Sequence, residues 1–145
     1  MQRKFIYVPH TAEMKFIAYG KSERQAIENS ALAMLNIMFD IEKIRRAKSV
    51  AKAVSIRSKA YSPADLVWHT LQKILTIVDE KELKPYSFKV FGIKSVGKVL
   101  ALKGKLFYKS TDVECYRTEI KAVTPYALQV VYKKGVWRIS VVVDV

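Results

Sequence analysis

The sequence predicts an α+β fold of two layers, in which a mostly antiparallel sheet carries two helices packed on one face. Two amphipathic helical stretches lie before Pro85, and from Pro85 onward every segment is strand-like. About seven strand-like segments are present in all. Helices early and strands late are typical of an antiparallel sheet with one buried and one polar face.

The first elements are two short strands and a helix. The segments KFIYVP and EMKFIAYG read as strands that are broken at Pro9-His10-Thr11. Ser22, followed three residues later by Gln25, matches the pattern of a helix-capping box. The apolar residues that follow recur at the spacing of one helical face, which predicts a helix that ends near Asp40.

The middle of the chain contains a third strand and the second helix. IEKIRRAK reads as a basic connection, and SVAKAVSIRS reads as a strand. Ser62, Pro63 and Asp65 supply a helix cap, a first-turn proline and an acidic residue at the positive end of the helix. An apolar stripe from Leu66 to Val78 then predicts a second amphipathic helix.

The remaining segments predict strands, with a hairpin turn at Lys133-Lys134-Gly135. In the last strand, alternation places Trp137 and Val143 on one side and Asp144 on the other. Asp144 is therefore predicted to face away from the core. The strand-like segments are YSFKVFGI, KVLALKGKLFY, CYRTEIKAV, ALQVVY and VWRISVVV.

Composition predicts one globular domain over residues 1–145. Half of the 145 residues are hydrophobic, which is enough to form a core without disulfides. The single cysteine, Cys115, lies within the strand-like CYRTEIKAV, and we expect a buried thiol in a reducing compartment. No secretion signal or membrane-spanning stretch is present in the sequence, which predicts a cytoplasmic protein without membrane contact. The formal charge of +13 favours binding to polyanions, or solubility from a dispersed basic surface.

The sequence lacks the common enzyme motifs. It has no glycine-rich phosphate loop, no nucleophile elbow and no zinc-ligand spacing. Its two histidines, His10 and His69, lie in different contexts. His69 is expected to be a structural residue of the second helix, and His10 can hydrogen-bond the backbone of its own turn.

The last two residues bring two negative groups together. The Asp144 carboxylate is followed directly by the α-carboxylate of Val145. If the two groups lie about 4 Å apart near the surface, their repulsion is about 4 kcal/mol. We therefore expect a cation at this end of the chain, or the loss of one charge. A solvated strand end that is paired with a lysine is the alternative.

Several segments of the chain occur in the same order in a known protein family. His10-Thr11-Ala12-Glu13, before a strand that ends at Tyr19-Gly20, is similar to the family's HTAD segment. TEIKAVTPYALQV resembles its TEIKAVTYH-like segment, and WRISVVVDV resembles its terminal strand with the closing Asp. The two predicted helices match in order, so the resemblance, which is to the archease family, covers essentially the whole chain. In this chain Pro125-Tyr126 stands where the family has Tyr-His, so no role of that histidine carries over.

The resemblance implies an accessory protein of the GTP-dependent tRNA-splicing ligase, with no catalytic residues of its own. Such a protein promotes guanylylation of the ligase's active-site histidine and allows multiple turnovers. It also implies a divalent ion, most simply Ca²⁺, held by Glu13, Asp144 and Val145. Glu13 stands where the family has Asp, so its carboxylate reaches one methylene further. As a solvent-facing strand residue, or as a residue that caps a turn, Glu13 would instead have no such role.

The resemblance also implies functional positions that face the ligase, at Lys121 and His10. The alternative for Lys121 is a charged face of a strand, because Arg117, Glu119 and Lys121 alternate along CYRTEIKAV. A different class of function is a basic RNA-binding or chaperone-like module, in which strand aromatics would stack on bases. The aromatics considered for this role are Tyr86, Phe88, Phe107, Tyr108 and Tyr116.

Overall fold

The computed structural model describes residues 3–9 and 13–145. In these residues the chain forms eight strands and three helices. In chain order they are β1 (Phe5–Val8), β2 (Met14–Gly20), α1 (Glu23–Met38), α2 (Ile41–Arg46), β3 (Ala51–Ala60), α3 (Pro63–Lys81), β4 (Pro85–Val96), β5 (Val99–Lys109), β6 (Ala122–Val123), β7 (Gln129–Lys133) and β8 (Val136–Asp144).

The strands form two antiparallel sheets. The first sheet has the order β1-β2-β8-β6, and β7 also pairs with β8. The second sheet has the order β3-β5-β4. The last strand, β8, is therefore central to the first sheet, with β2 along one edge and β6 and β7 along the other.

Local sequence signals fix the starts of the two long helices. The Ser22 hydroxyl accepts a hydrogen bond from the Gln25 N–H at 3.1 Å, as a capping box predicts. The Ser62 hydroxyl likewise accepts from the Asp65 N–H at 3.2 Å, with Pro63 in the first turn. The helix α3 ends at Glu82, whose φ of 50° is the left-handed conformation common at helix ends.

The two long helices cover parts of both sheets. Helix α1 packs on β2 and β8 of the first sheet and on β4 of the second. Helix α3 packs on β3 and β5 of the second sheet and on β6 of the first. One hydrophobic cluster joins the inner faces of these elements, with Phe16, Leu35 and Leu71 fully buried in it. The α+β class with antiparallel sheets is confirmed.

Two details of the predicted architecture are corrected. The basic connection IEKIRRAK contains a third helix, α2, because the Asp40 side chain caps Lys43 and the buried Ile41 and Ile44 lie at helical spacing. The predicted single sheet is divided in two, because β3, β4 and β5 pair only with one another within the described residues.

The predicted strand CYRTEIKAV is wrong except for its last two residues. Ala122 and Val123 form β6, and Tyr116 makes only an isolated bridge to Phe39. The backbone before β6 bonds instead to the end of α1, where the Met38 carbonyl accepts from the Arg117 N–H at 2.8 Å. Arg117, Glu119 and Lys121 therefore do not share one face of a strand.

The predicted hairpin turn is confirmed. Lys133 pairs with Val136, and the two residues between them have positive φ, 53° at Lys134 and 77° at Gly135. Two positive φ angles define the type I′ turn that suits the twist of paired strands. In the described part of the chain, none of the helices is long and apolar enough to cross a membrane.

Candidate functional site

The start of β2 and the end of β8 lie side by side. Met14 is the Cα partner of Val143, Glu13 directly precedes Met14, and Asp144 directly follows Val143. Because opposite positions on antiparallel strands advance in step, Glu13 and Asp144 are neighbours at the end of this ladder. Pairing at long range thus joins the two acidic residues from opposite ends of the sequence.

The segment with Lys121 lies on the other side of β8. The Lys121 N–H donates to the Asp144 carbonyl oxygen at 2.7 Å, and Ala122 is the Cα partner of Asp144. The Thr124 N–H donates to the Val142 carbonyl oxygen at 2.9 Å. Asp144 is therefore flanked by Glu13 on one strand and by the backbone of Lys121 and Ala122 on the other.

Helix α3 holds the short strand β6 in place. The Trp68 indole N–H donates to the Val123 carbonyl oxygen at 2.8 Å. The Val123 N–H donates to the Gln72 side-chain oxygen at 3.1 Å. Both main-chain groups of Val123 are thus bonded to side chains of α3, and a strand of only two residues is fixed beside Asp144.

The segment that leads to Lys121 is held by hydrogen bonds to the surrounding backbone. The Lys84 ammonium donates to the carbonyl oxygens of Thr111 at 2.6 Å and Val113 at 3.2 Å. The Asp40 N–H donates to the Cys115 carbonyl oxygen at 2.7 Å. These contacts replace the ladder that a strand would have provided, and they determine where β6 begins.

The side chains of this region differ in exposure. Asp144 and Lys121 are exposed, Glu13 is half-buried, and Val145 is 36% exposed. The inward positions of β8 are buried, with Ile139, Val141 and Val143 at 0% exposure. The prediction that Asp144 faces away from the core is confirmed.

The ion pairs found within the described residues are Arg45–Glu42 and Arg117–Asp40. Neither pair uses Glu13 or Asp144. On the β2 side, Lys15 pairs with Val142 and shares the outward face with Glu13 and Asp144. Among the residues that the structure covers, neither carboxylate forms an ion pair.

The oxygen ligands in this region are of the chemical type that a hard divalent cation binds. Two carboxylates and the main-chain oxygen of Val145 are the ligand types that Ca²⁺ prefers, although Ca²⁺ takes six to eight oxygens. Residues 3–9 and 13–145 contain no group of three or more His, Cys, Asp or Glu side chains that could hold a metal ion. His10, the other predicted ligase-facing residue, lies outside the described residues.

Sequence reasoning assigned no role to three residues close to β6. Trp68 and Gln72 lie four residues apart on α3, so their side chains are neighbours on the helix surface. A buried indole N–H also needs a hydrogen-bond partner. Together these two features could have indicated that α3 bonds to a neighbouring segment. Tyr126 follows β6 and is 95% exposed, more than any other large apolar side chain identified as exposed. In the sequence it is distinguished as the residue after Pro125, at the position where the resembling family has a histidine.

The remaining candidate residues, His69 and the strand aromatics, differ in how exposed they are. His69 is exposed on α3, with its ring edge-on to Trp68 at a centroid distance of 5.0 Å, so it is not a core residue. Among the aromatics considered for base stacking, Phe88 is buried at 2% exposure, whereas Tyr116 is 64% exposed. Tyr86, Phe107 and Tyr108 are partly buried.

Comparison with known proteins gives concordant results. Residues 5–145 match the model of the Archease protein family (MTH1598/TM1083). The chain is 30% identical to protein archease of Methanosarcina barkeri, over 99% of this chain and 97% of that protein. It is 31% identical to protein archease of Methanosarcina mazei, over the same shares of the two chains.

Solved structures agree in fold. The solution structure of Methanobacterium thermoautotrophicum protein 1598 superposes with a TM-score of 0.83 at 25% identity, over 98% of this chain and 99% of that one. A crystal structure of an archease from Thermotoga maritima, described as a possible chaperone, gives a TM-score of 0.53 at 19% identity, over 100% and 98%. Together with the family match over residues 5–145, these relatives show that the chain belongs to the archease family.

Proposed function

We propose that this protein is a non-enzymatic activator of the GTP-dependent tRNA-splicing ligase in the cytoplasm. It would promote guanylylation of the ligase and its multiple turnover in tRNA splicing and RNA repair. Membership of the archease family supports the proposal. The observation that carries it is the meeting of Glu13, Asp144 and the Lys121 backbone at one end of the first sheet.

The proposal includes a divalent ion, most simply Ca²⁺, held by Glu13, Asp144 and Val145. When bound, the ion would offset the repulsion between the carboxylates and offer open positions to oxygens of a partner. The protein supplies the alignment, because β8 is paired on both sides up to Asp144. Asp144 is thus held at the end of a rigid strand rather than on a free tail.

Lys121 would act at the same interface through its exposed ammonium group. Its backbone is anchored on Asp144, and the next two residues are fixed by β8 and α3. A side chain that is mounted on a fixed backbone loses less conformational entropy on binding, which favours affinity for a partner. The exposed Tyr126 follows the same strand, and exposed tyrosines commonly anchor protein interfaces.

The direct test is a time course of ligase guanylylation with purified ligase and GTP. Asp144→Asn should slow activation by at least about tenfold, the scale at which changes around a metal site lower affinity or activity. Asp112→Asn, which removes an exposed carboxylate elsewhere, is the matched control and should activate normally. Calorimetric titration with Ca²⁺ should show binding to the unaltered protein and to Asp112→Asn only. Full activation by Asp144→Asn would contradict the proposal.

A second variant separates Lys121 from the ion. Lys121→Ala should leave Ca²⁺ binding and the urea midpoint unchanged, because the side chain is exposed and its backbone bond remains. It should nevertheless lower guanylylation, whereas Lys133→Ala on β7 should not. An activator that works equally well without the Lys121 ammonium would remove Lys121 from the site.

A basic RNA-binding module remains the second candidate function, favoured by the charge of +13. It makes a different prediction from ligase activation. RNA affinity that falls steeply with salt, without any effect of the protein on ligase guanylylation, would favour the module.

A further inference from the structure

The second sheet has a face made almost entirely of cations and small residues. We call it the basic face and define it by the outward-facing residues of β3, β4 and β5. In the observed register, outward-facing residues of neighbouring strands are Cα partners of one another. Six of its cationic side chains are exposed. They are Arg57 and Lys59 on β3, Lys89 and Lys94 on β4, and Lys103 and Lys105 on β5.

Cations stand directly opposite one another on this face. Arg57 pairs with Lys103, and Lys89 pairs with Lys105. Like charges in directly opposite positions of a sheet are destabilising. None of the three strands contains an Asp or Glu, and the ion pairs of the described residues lie elsewhere. The positive charge of this face is therefore not neutralised by acidic side chains of the three strands.

An aromatic side chain lies among these cations. Phe91 occupies the irregularity in register between Val90 and Gly92, where β4 has one extra residue opposite β5. Its side chain is 54% exposed, and the Lys105 ammonium lies 5.6 Å from the ring centroid. A face that served solubility alone would not need an exposed phenyl ring. The ring offers a flat surface on which an unpaired base can stack.

The space beside Phe91 is a depression of about 610 Å³. Its lining includes Phe91, Gly92 and four of the cations of the basic face, Arg57, Lys59, Lys94 and Lys103. A Cβ added at Gly92 would meet nothing within 4 Å, so the strand is open to an approaching ligand at this point. The depression therefore combines positive charge, one aromatic wall and an accessible backbone.

The spacing of the cations favours an extended polyanion. Same-face positions recur about every 6.8 Å along a strand, and neighbouring strands lie about 4.8 Å apart. Six cations in this arrangement can contact several successive phosphates. Bases inside a duplex are stacked on each other and are not available to Phe91, so an unpaired strand fits this face better than a helix does.

We propose that the basic face binds single-stranded nucleic acid, with phosphates on Arg57, Lys103 and Lys105 and a base stacked on Phe91. This site lies on the second sheet, whereas Glu13 and Asp144 belong to the first. The proposal goes beyond ligase activation and does not rest on it, because charge, register and exposure alone carry it.

The test measures fluorescence anisotropy of a labelled single-stranded RNA of about 12 nucleotides. The triple variant Arg57→Ala, Lys103→Ala, Lys105→Ala should bind at least about tenfold more weakly than the unaltered protein, and the slope of log affinity against log salt should fall by about 2. The control Lys21→Ala, Lys48→Ala, Lys133→Ala removes the same charge from exposed positions outside the basic face and should lose less than about threefold. Equal losses in the two triple variants would overturn the proposal.

The role of the ring is tested at constant charge. Phe91→Ala should weaken binding at least about fivefold, the scale of base–aromatic stacking, and leave the salt slope unchanged. An unlabelled DNA strand of the same sequence reports whether ribose hydroxyls add to the affinity. If Phe91→Ala binds RNA normally and polyglutamate displaces RNA as well as unlabelled RNA does, the face recognises acidic protein instead and the proposal fails. Circular dichroism and urea unfolding confirm that each variant is folded.

Discussion

At the scale of single residues, the environment of Cys115 changes the chemistry of its side chain. Its thiol is 5% exposed and lies in the segment held by the end of α1 and by Lys84. Burial raises the pKa of the Cys115 thiol above its usual range, and the nearby Lys84 ammonium offsets only part of this effect. A raised pKa favours the neutral thiol, which is less nucleophilic than the thiolate.

This environment predicts a pH dependence of stability. Because the folded pKa of Cys115 is raised, the folded state holds its proton more tightly than the unfolded state, whose thiol titrates near pH 8.5. The contribution of the thiol is complete below about pH 8.5 and is lost as pH rises through the folded pKa. Urea midpoints from pH 7 to 10 should fall more steeply for the unaltered protein than for Cys115→Ala. Parallel profiles would contradict the assignment.

The site residues differ in what the sequence could reveal about them. Alternation along VWRISVVVD was sufficient to place Asp144 on the face opposite Val141 and Val143, which are fully buried. That Glu13 lies beside Asp144 depends on pairing between the two ends of the chain. No local pattern encodes such a long-range pairing, and only the resemblance to a known family indicated it.

At the scale of elements, β6 shows how tertiary contacts override an alternating pattern. The segment CYRTEIKAV alternates as a strand does, yet its first half bonds to the backbone at and just after the end of α1, and only Ala122 and Val123 join a sheet. The reason is that its backbone donors and acceptors find partners at Asp40 and Met38. The capping boxes and the Lys134-Gly135 turn were predictable because those interactions are local.

Helix α3 should control how firmly β6 is held. Trp68→Phe removes the donor to the Val123 carbonyl oxygen, and Gln72→Leu removes the acceptor for its N–H. Each change should lower the free energy of unfolding by about 1–2 kcal/mol, because a partly buried polar group is left unpaired. Amide hydrogen exchange at Val123 should be faster in both variants. The Lys121-dependent part of ligase guanylylation should be lower in the same variants.

The exposed Gln129 on β7 supplies the control, and Gln129→Leu should change neither exchange at Val123 nor the unfolding free energy. A double-mutant cycle should give a coupling between Trp68 and Gln72, since both bond to one residue. Strictly additive effects, with unchanged exchange at Val123, would mean that β8 alone holds β6.

At the scale of the whole molecule, the two sheets differ in the charges they expose. The first sheet carries Glu13 and Asp144 at one end, whereas the strands of the second contain no acidic residue. The total charge of +13 can be counted from the residues, but its distribution over the surface could not be predicted, because the grouping of β3, β4 and β5 into one sheet was not predicted. The strand register then shows that cationic side chains of neighbouring strands lie opposite one another.

This arrangement predicts that stability and nucleic-acid binding respond in opposite directions to one substitution. Lys103→Glu converts the Arg57–Lys103 repulsion into an attraction. The gain in the free energy of unfolding should be about 0.5–1 kcal/mol at low salt, the scale of cross-strand charge pairs. The same variant should bind single-stranded RNA more weakly than the unaltered protein.

Salt provides an independent check, because it screens exposed charges over about 10 Å at 0.1 M. Raising salt from 20 to 200 mM should stabilise the unaltered protein by relieving the repulsion on the basic face, and should stabilise Lys103→Glu less. Lys133→Glu makes the same change in net charge opposite Val136, a neutral partner, and should retain the salt response of the unaltered protein. Urea unfolding at the two salt concentrations measures all three proteins. If Lys133→Glu and Lys103→Glu were stabilised equally, total charge rather than the cross-strand register would govern stability.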